Sequence, residues 1–239
     1  MAAFIIGLIF LGVGGFFIFQ GYNIKKKKNL VEKTETTKIN LLKEGICEVK
    51  GKVVKKDLLK SPLFEKDCVF YKYYVEEQHK DKKGHKRWKI IREGIKYNNF
   101  FLEDTSGKVE INPEKAEFDA LQSNSIIIGS GKDFPNHIKK FLEDNNIKYK
   151  DLFGSIKTMK LTENIIQEKE TLYVLGNCEK TNKDESDYQI NNKSGILLIS
   201  TREEKDFVKT LRNKMLANLI GGFIFAVLGL ILFVVLLKG

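Results

Sequence analysis

The chain has 239 residues, 30% of them charged and 42% hydrophobic, and carries a formal net charge of +10. Three prolines, no Ser/Gly-rich run and no internal repeat exclude a disordered or solenoid chain. Cys47, Cys68 and Cys178 are odd in number and form no CxxC pair, which excludes a disulfide framework or a structural zinc site and leaves them as small core residues on a reducing side.

From the N-terminus, Ala2–Gln20 holds no charge and no proline. At ~1.5 Å per residue it covers the ~30 Å hydrocarbon core of a bilayer, which predicts a transmembrane helix over residues 2–22. No Lys or Arg precedes this run, and Lys25, Lys26, Lys27 and Lys28 follow it directly. That order fits an uncleaved anchor rather than a signal peptide, with a basic flank suited to anionic lipid head groups. Residues 23–200 then read as one β-rich domain. Ile46–Val54 alternates, and Cys68–Val75 is aromatic and β-branched like a buried strand. Trp88–Arg92 and Lys96–Glu103 are further strands, and the polar Glu76–Trp88 stretch with Gly84 reads as a hairpin tip. Asp104-Thr-Ser-Gly107 is a turn in which Gly107 supplies a positive φ. Val109–Ile111, Ser125–Gly129, Thr171–Gly176 and Gly195–Ser200 complete the strands, with Gly129-Ser-Gly131 a short turn and Gly176 at a bend.

Pro135 sits near the first turn of a short helix that presents Ile138, Phe141 and Leu142 on one face and ends at Asn145-Asn146. Thr201-Arg-Glu-Glu204 is a capping box for an amphipathic juxtamembrane helix over residues 201–215, with Phe207, Val208, Leu211 and Met215 on one face. No breaker separates it from Leu216–Leu237, the second transmembrane helix over residues 216–237. The fold class is therefore α+β, a β-rich central domain between two transmembrane helices.

Lys25–Lys28, Lys33, Lys38, Arg202, Lys205, Lys209, Arg212 and Lys214 flank the inner ends of the spans, against Lys238 alone outside them. The positive-inside rule predicts an integral protein of the cell membrane with its central domain in the cytoplasm and both termini outside. Gly7, Gly12, Gly14, Gly15, Gly221, Gly222 and Gly229 would allow close helix contact, although Gly7-to-Gly12 and Gly222-to-Gly229 lack GxxxG spacing. Basic residues mix with acidic ones across Glu76–Arg92 and Asp144–Lys160, and no RNP, helix-turn-helix or zinc-finger spacing appears, so no nucleic-acid partner is expected.

No catalytic, cofactor or metal residue emerges. His79 and His85 lie in the polar hairpin, His137 stands alone, and no GxSxG, HExxH, Walker A or GxGxxG motif occurs. Neighbouring acids Glu76/Glu77 and Glu103/Asp104 point to opposite strand faces, and Glu203/Glu204 belong to a helix start. Trp88 reads either as a partner anchor or as a packing residue beside Tyr71, Tyr73 or Tyr74.

Several short pieces occur in a distinctive order. They are Thr36-Thr-Lys-Ile39, Gly45-Ile-Cys-Glu-Val49-Lys-Gly51-Lys-Val53, Ser61-Pro62-Leu63 and Cys68-Val-Phe-Tyr71. Leu102-Glu-Asp104-Thr-Ser-Gly107-Lys-Val109, Pro113-Glu-Lys-Ala116, Glu170–Gly176 and Ile199–Glu204 follow. Together they resemble the beside-a-membrane (BAM, GIDE-type) domain of mitochondrial RING E3 ubiquitin ligases, which bracket it with two transmembrane helices. The resemblance implies ubiquitin transferase activity, but this sequence has no RING after the second span. It also implies a domain across the membrane from the cytosolic RING, the opposite side from the lysine count. The expectation is a membrane-anchored, non-enzymatic interaction module with an unknown protein partner. The alternatives are an E3 ligase-like protein needing a RING in trans and a domain that binds anionic lipid head groups through Lys25–Lys28. Ser61, Pro62, Leu63, Cys68, Tyr71 and Trp88 are the candidate partner or fold-motif residues.

Overall fold

The computed structural model describes residues 2–129, 132–183 and 186–237. Ser130 and Gly131 of the expected short turn lie outside them. The chain divides into two units, a helix pair and a β-rich unit spanning Thr36–Thr201.

The helix pair comprises α1 (Ala2–Lys33) and α3 (Glu204–Leu237), both long and apolar enough to cross a membrane. Gly7, Gly14 and Gly21 recur every seven residues along α1 and are buried. They meet Gly229, Gly222 with Ala226, and Leu219 of α3. A Cβ on Gly14 would lie 2.8 Å from both the Gly222 oxygen and the Ala226 nitrogen, so glycine is what lets the two backbones approach. The period of seven, rather than GxxxG, keeps one seam facing its partner. Ile5, Ile9, Phe16, Phe19, Phe223 and Val235 remain exposed. Small residues inside and large apolar ones outside is the reverse of a soluble bundle.

Helix α1 does not end near residue 22 but continues to Lys33, so Lys25–Lys28 form one helical turn. Lys28 pairs with Glu32 at 2.6 Å, and Lys26 lies 4.9 Å from the Tyr22 ring centre. Helix α3 runs unbroken from the juxtamembrane residues into the apolar stretch, as expected, but the capping box does not form. The first turn is closed by the Glu203 carbonyl, which accepts from the Asp206 and Phe207 amides at 3.1 Å. Thr201 belongs to the β-rich unit, where its hydroxyl donates to the Ala120 carbonyl.

In the β-rich unit, β1 (Gly45–Val54), β6 (Phe100–Glu103), β7 (Lys108–Ile111), β11 (Thr171–Lys183) and β12 (Ser186–Asn191) close into a five-stranded ring. Every pair in the ring is antiparallel except β7–β12. Strands β13 (Leu198–Ser200) and β8 (Glu117–Asp119) extend it from β11. Alternate residues of β1 point inward, and Val49, Val53, Phe100, Leu102, Val109, Ile111, Leu172 and Val174 form the ring's core.

A second sheet has the order β5-β4-β10-β9, from β5 (Lys86–Tyr97), β4 (Phe70–Lys80), β10 (Met159–Ile166) and β9 (Gln122–Ile128). Helix α2 (Asn136–Asp144) covers one face, burying Ile138 and Leu142 against Tyr73, Val75, Met159 and Leu161. Pro135 is its N-cap rather than a first-turn residue. The short pair β2 (Leu59–Lys60) and β3 (Asp67–Cys68) carries the Ser61 turn.

Four expectations give way here. The polar Glu76–Trp88 stretch is mostly strand: β4 runs to Lys80, β5 starts at Lys86, and only 81–85 turn. Lys96–Glu103 is not one strand, because Asn98 and Asn99 separate β5 from β6. Gly107 has no positive φ; the turn is instead built by Asp104, whose Oδ1 accepts from the Ser106 and Gly107 amides at 2.6 and 3.0 Å. Gly176 lies inside β11, where a Cβ would come within 2.7 Å of Ile190 and Leu197, so close packing and not a bend requires it.

Candidate functional site

The six residues singled out from the sequence fall into two places. Ser61, Pro62, Leu63 and Cys68 build the turn between β2 and β3, with Tyr71 following in β4. Ser61, Leu63 and Cys68 are buried, and Pro62 and Tyr71 half-buried. The Ser61 hydroxyl oxygen accepts from the Lys66 amide at 3.0 Å, and the Ser61 and Lys66 backbones pair at 2.9 Å. The Leu63 amide donates to Oε1 of Glu163, a fully buried carboxylate on β10, at 3.0 Å. The Leu63 carbonyl accepts from His137 Nε2 at 3.1 Å, tying the turn to α2. Oε2 of Glu163 has no hydrogen-bond partner among the described residues.

Burial, reinforced by the Glu163 and Asp67 carboxylates, pushes the Cys68 thiol up to about 12. Burial also raises the Tyr71 phenol, with Tyr73, Cys68 and Glu163 adding to it. A thiol held protonated in this way is a poor nucleophile. The cluster locks the turn onto the second sheet, and its Cys68 is unsuited to covalent chemistry. Cys47 and Cys178 are likewise buried, and their mutual hydrogen bond, ahead of burial, raises the Cys47 thiol.

Trp88 stands apart. It is paired with Gln78 across β4–β5, not with Tyr71, Tyr73 or Tyr74, which face Lys96, Gly94 and Glu93. The polar extension of both strands carries it away from the tyrosines. The sheet face bearing Trp88 is the one that α2 leaves open. Trp88 is 36% exposed there, Ile90 52%, Ile95 52% and Ile127 58%, large apolar side chains left to solvent. Directly opposed residues share a face, so Tyr74, Glu76 and Lys160 lie among them. The Glu76–Lys160 pair at 2.9 Å lies between Ile90 and Ile127, and Lys72 sits 5.0 Å from the Tyr74 ring centre on the same face. At one end this face dips into a cleft of about 220 Å³ lined by Phe70, Lys72, Tyr74, Ile95, Ala116, Phe118, Leu121 and Asn164.

The GIDE family model, described as E3 ubiquitin ligase, matches residues 71–235, from β4 through most of α3. The chain belongs to the GIDE family. The GIDE match starts at Tyr71, so the Thr36–Ile39, Gly45–Val53 and Ser61–Leu63 pieces lie outside it, while Trp88, Ile90, Ile95 and Ile127 lie within it. No curated protein and no solved structure matches the chain.

Sequence reasoning missed Ile90, Ile95 and Ile127 as members of this surface. The signal was present: Trp88 and Ile90 alternate with Arg87 and Lys89. A bulge between Val75 and Glu76, with Ile91 as the extra residue on β5, shifts the phase before Ile95 and hides the period of two.

Proposed function

We propose that this GIDE-family chain is a membrane-anchored, non-enzymatic interaction module. Its two apolar helices cross the bilayer and its β-rich unit presents the open Trp88 face to a protein partner. The observation that carries the reading is that open face, four large apolar side chains on the side of the sheet away from α2. Helices of 32 and 34 residues are about 48 and 51 Å long, ~20 Å more than the hydrocarbon core needs. The surplus corresponds to Lys25–Lys33 and Glu204–Met215, basic segments suited to the anionic cytoplasmic leaflet. The central unit is accordingly assigned to the cytoplasm and both termini to the outside.

A second reading rests on the family's description, ubiquitin transfer. It needs a RING from elsewhere, because two tetrahedral zinc sites require more Cys and His ligands than the three of each present here. A photo-crosslinking amino acid at Ile90 or Ile95, compared with one at exposed Lys148, tests the docking face in native membranes. Discrete adducts from Ile90 and Ile95 alone support it. Equal labelling from all three positions, or none from any, removes it. Discharge of ubiquitin from a carrier enzyme by the purified chain alone would favour the ligase reading.

A further inference from the structure

Strand β5 is the edge of its sheet and, among the described residues, pairs only with β4. Every second residue of such an edge turns its N–H and C=O outward, a template for another strand. The pairing with β4 also fixes which side chains share a face. Trp88, Ile90, Ile95 and Tyr97 lie on the open face, opposite Gln78, Glu76, Lys72 and Phe70. Arg87, Lys89, Arg92 and Lys96 lie on the other, opposite His79, Glu77, Val75 and Tyr71. Lys86 and Glu93, opposite Lys80 and Tyr74, share the open face, so the edge carries most of its apolar side chains on one side and a run of cations on the other, where Lys89, Arg92 and Lys96 are exposed with no salt bridge among the described residues.

Lysine and arginine on an edge strand discourage pairing with a like strand. A second copy of β5 would set these cations against each other, so self-pairing is disfavoured. An acidic strand meets the opposite condition, because its carboxylates would reach Lys89, Arg92 and Lys96. Its intervening side chains would lie beside Trp88, Ile90 and Ile95. Ile95 also lines the 220 Å³ cleft with Tyr74, Phe118 and Leu121, which gives one apolar side chain a seat next to the edge.

We propose that β5 captures an extended peptide in which acidic and apolar residues alternate, paired to the free edge as a fifth strand, with one apolar side chain in the cleft. The proposal rests on the docking-face reading and names its occupant. Main-chain pairing supplies affinity, and the two-sided edge supplies register and specificity.

The test is fluorescence anisotropy with the full chain in detergent micelles. The probe is a labelled ten-residue peptide of alternating glutamate and valine with one central phenylalanine. The controls are the same residues in two blocks, and the alternating peptide with lysine for glutamate. Saturable binding of the alternating acidic peptide alone is expected. Lys89→Glu/Arg92→Glu, both at exposed positions, should weaken it by about tenfold or more and admit the lysine peptide instead. N-methylation of alternate peptide amides should abolish binding while leaving charge intact. Equal binding of the block peptide, or competition by anionic vesicles as effective as by peptide, would make the edge a general polyanion contact and overturn the proposal. So would an unaffected charge-reversal variant. Crosslinking at Ile90 without alternating-peptide binding would retain the docking face and discard this occupant, whereas loss of both would discard the face as well.

Discussion

Gly51 and Gly107 both lie in the short pieces that resemble the GIDE-type domain, yet the structure assigns them opposite tolerances. Gly51 sits where β1 passes from β11 to β6, between the Gly51–Leu172 and Lys52–Glu103 registers. A Cβ there would lie 2.6 Å from the Glu103 carbonyl oxygen and 2.9 Å from its carbonyl carbon. Both are backbone atoms and cannot rotate away, so β6 would have to retreat from β1 across a three-residue ladder. Overpacking of this kind costs about 1–3 kcal/mol, a weakened ladder hydrogen bond ~1 kcal/mol more, and reduced unfolded-state entropy returns ~0.4–1 kcal/mol. Gly51→Ala should therefore destabilise by about 2 kcal/mol, a fall in Tm of roughly 4–8 °C for a unit this size. A Cβ on Gly107 meets only Ile39 Cγ2 at an ordinary 3.5 Å, and its φ is not positive. Gly107→Ala should be neutral or stabilise by up to ~1 kcal/mol. Trp88 is the only tryptophan and lies in the β-rich unit, so its fluorescence during thermal unfolding of the full chain in detergent reports this unit alone. An unchanged Tm for Gly51→Ala, or a larger fall for Gly107→Ala, would refute the reasoning.

Three further outcomes are expected. Gly14→Leu should separate α1 from α3 while Gly12→Leu, with no atom within 4 Å of its Cβ, should not; oxidative crosslinking of a Phe4→Cys/Phe233→Cys pair, whose rings lie 5.4 Å apart in the parent, reads the difference. Because the folded Cys68 thiol titrates near 12 against about 9 unfolded, its contribution to stability is intact below about pH 9 and is lost as pH rises toward 12; native protein should resist maleimide at pH 8 and label after denaturation. Burial pushes the Asp104 carboxyl up, but hydrogen bonds from Ser106, Ile39 and Gly107 outweigh it and hold it below its usual range. Its contribution should fade as pH falls through the acidic range, and Asp104→Ala should flatten that part of the stability–pH curve in urea titrations.

The two apolar helices were legible because twenty uncharged residues admit few alternatives. Strands β1, β4, β7 and α2 were legible from hydrophobic period and flanking turn residues. Strands β8, β10 and β12 were not, because Glu117–Asp119 is only three residues and Met159–Ile166 and Ser186–Asn191 mix polar and apolar side chains that the ring and sheet sort into inside and outside. Gly7 and Gly14 were read as allowing close helix contact, but their seven-residue step to Gly21 was not, since that spacing signifies contact only once a partner helix with Gly222 and Gly229 is seen beside it. The candidate surface was half legible. Trp88 announced itself as the lone tryptophan and Ile90 fell inside the expected Trp88–Arg92 strand, but Ile95 lay between two expected strands, and the face they share emerges only once β4 is seen to pair with β5.

The proposed arrangement is a folded unit tethered at both ends to the membrane and displayed in the cytoplasm. Its most direct test is a protease-sensitive tag at Gly84, in the exposed 81–85 turn, assayed in sealed right-side-out vesicles together with alkaline carbonate extraction. A tag protected until the membrane is opened, and a chain that stays with the membrane pellet, are expected. Cleavage in intact vesicles would reverse the orientation, and release into the carbonate supernatant would contradict the tether itself.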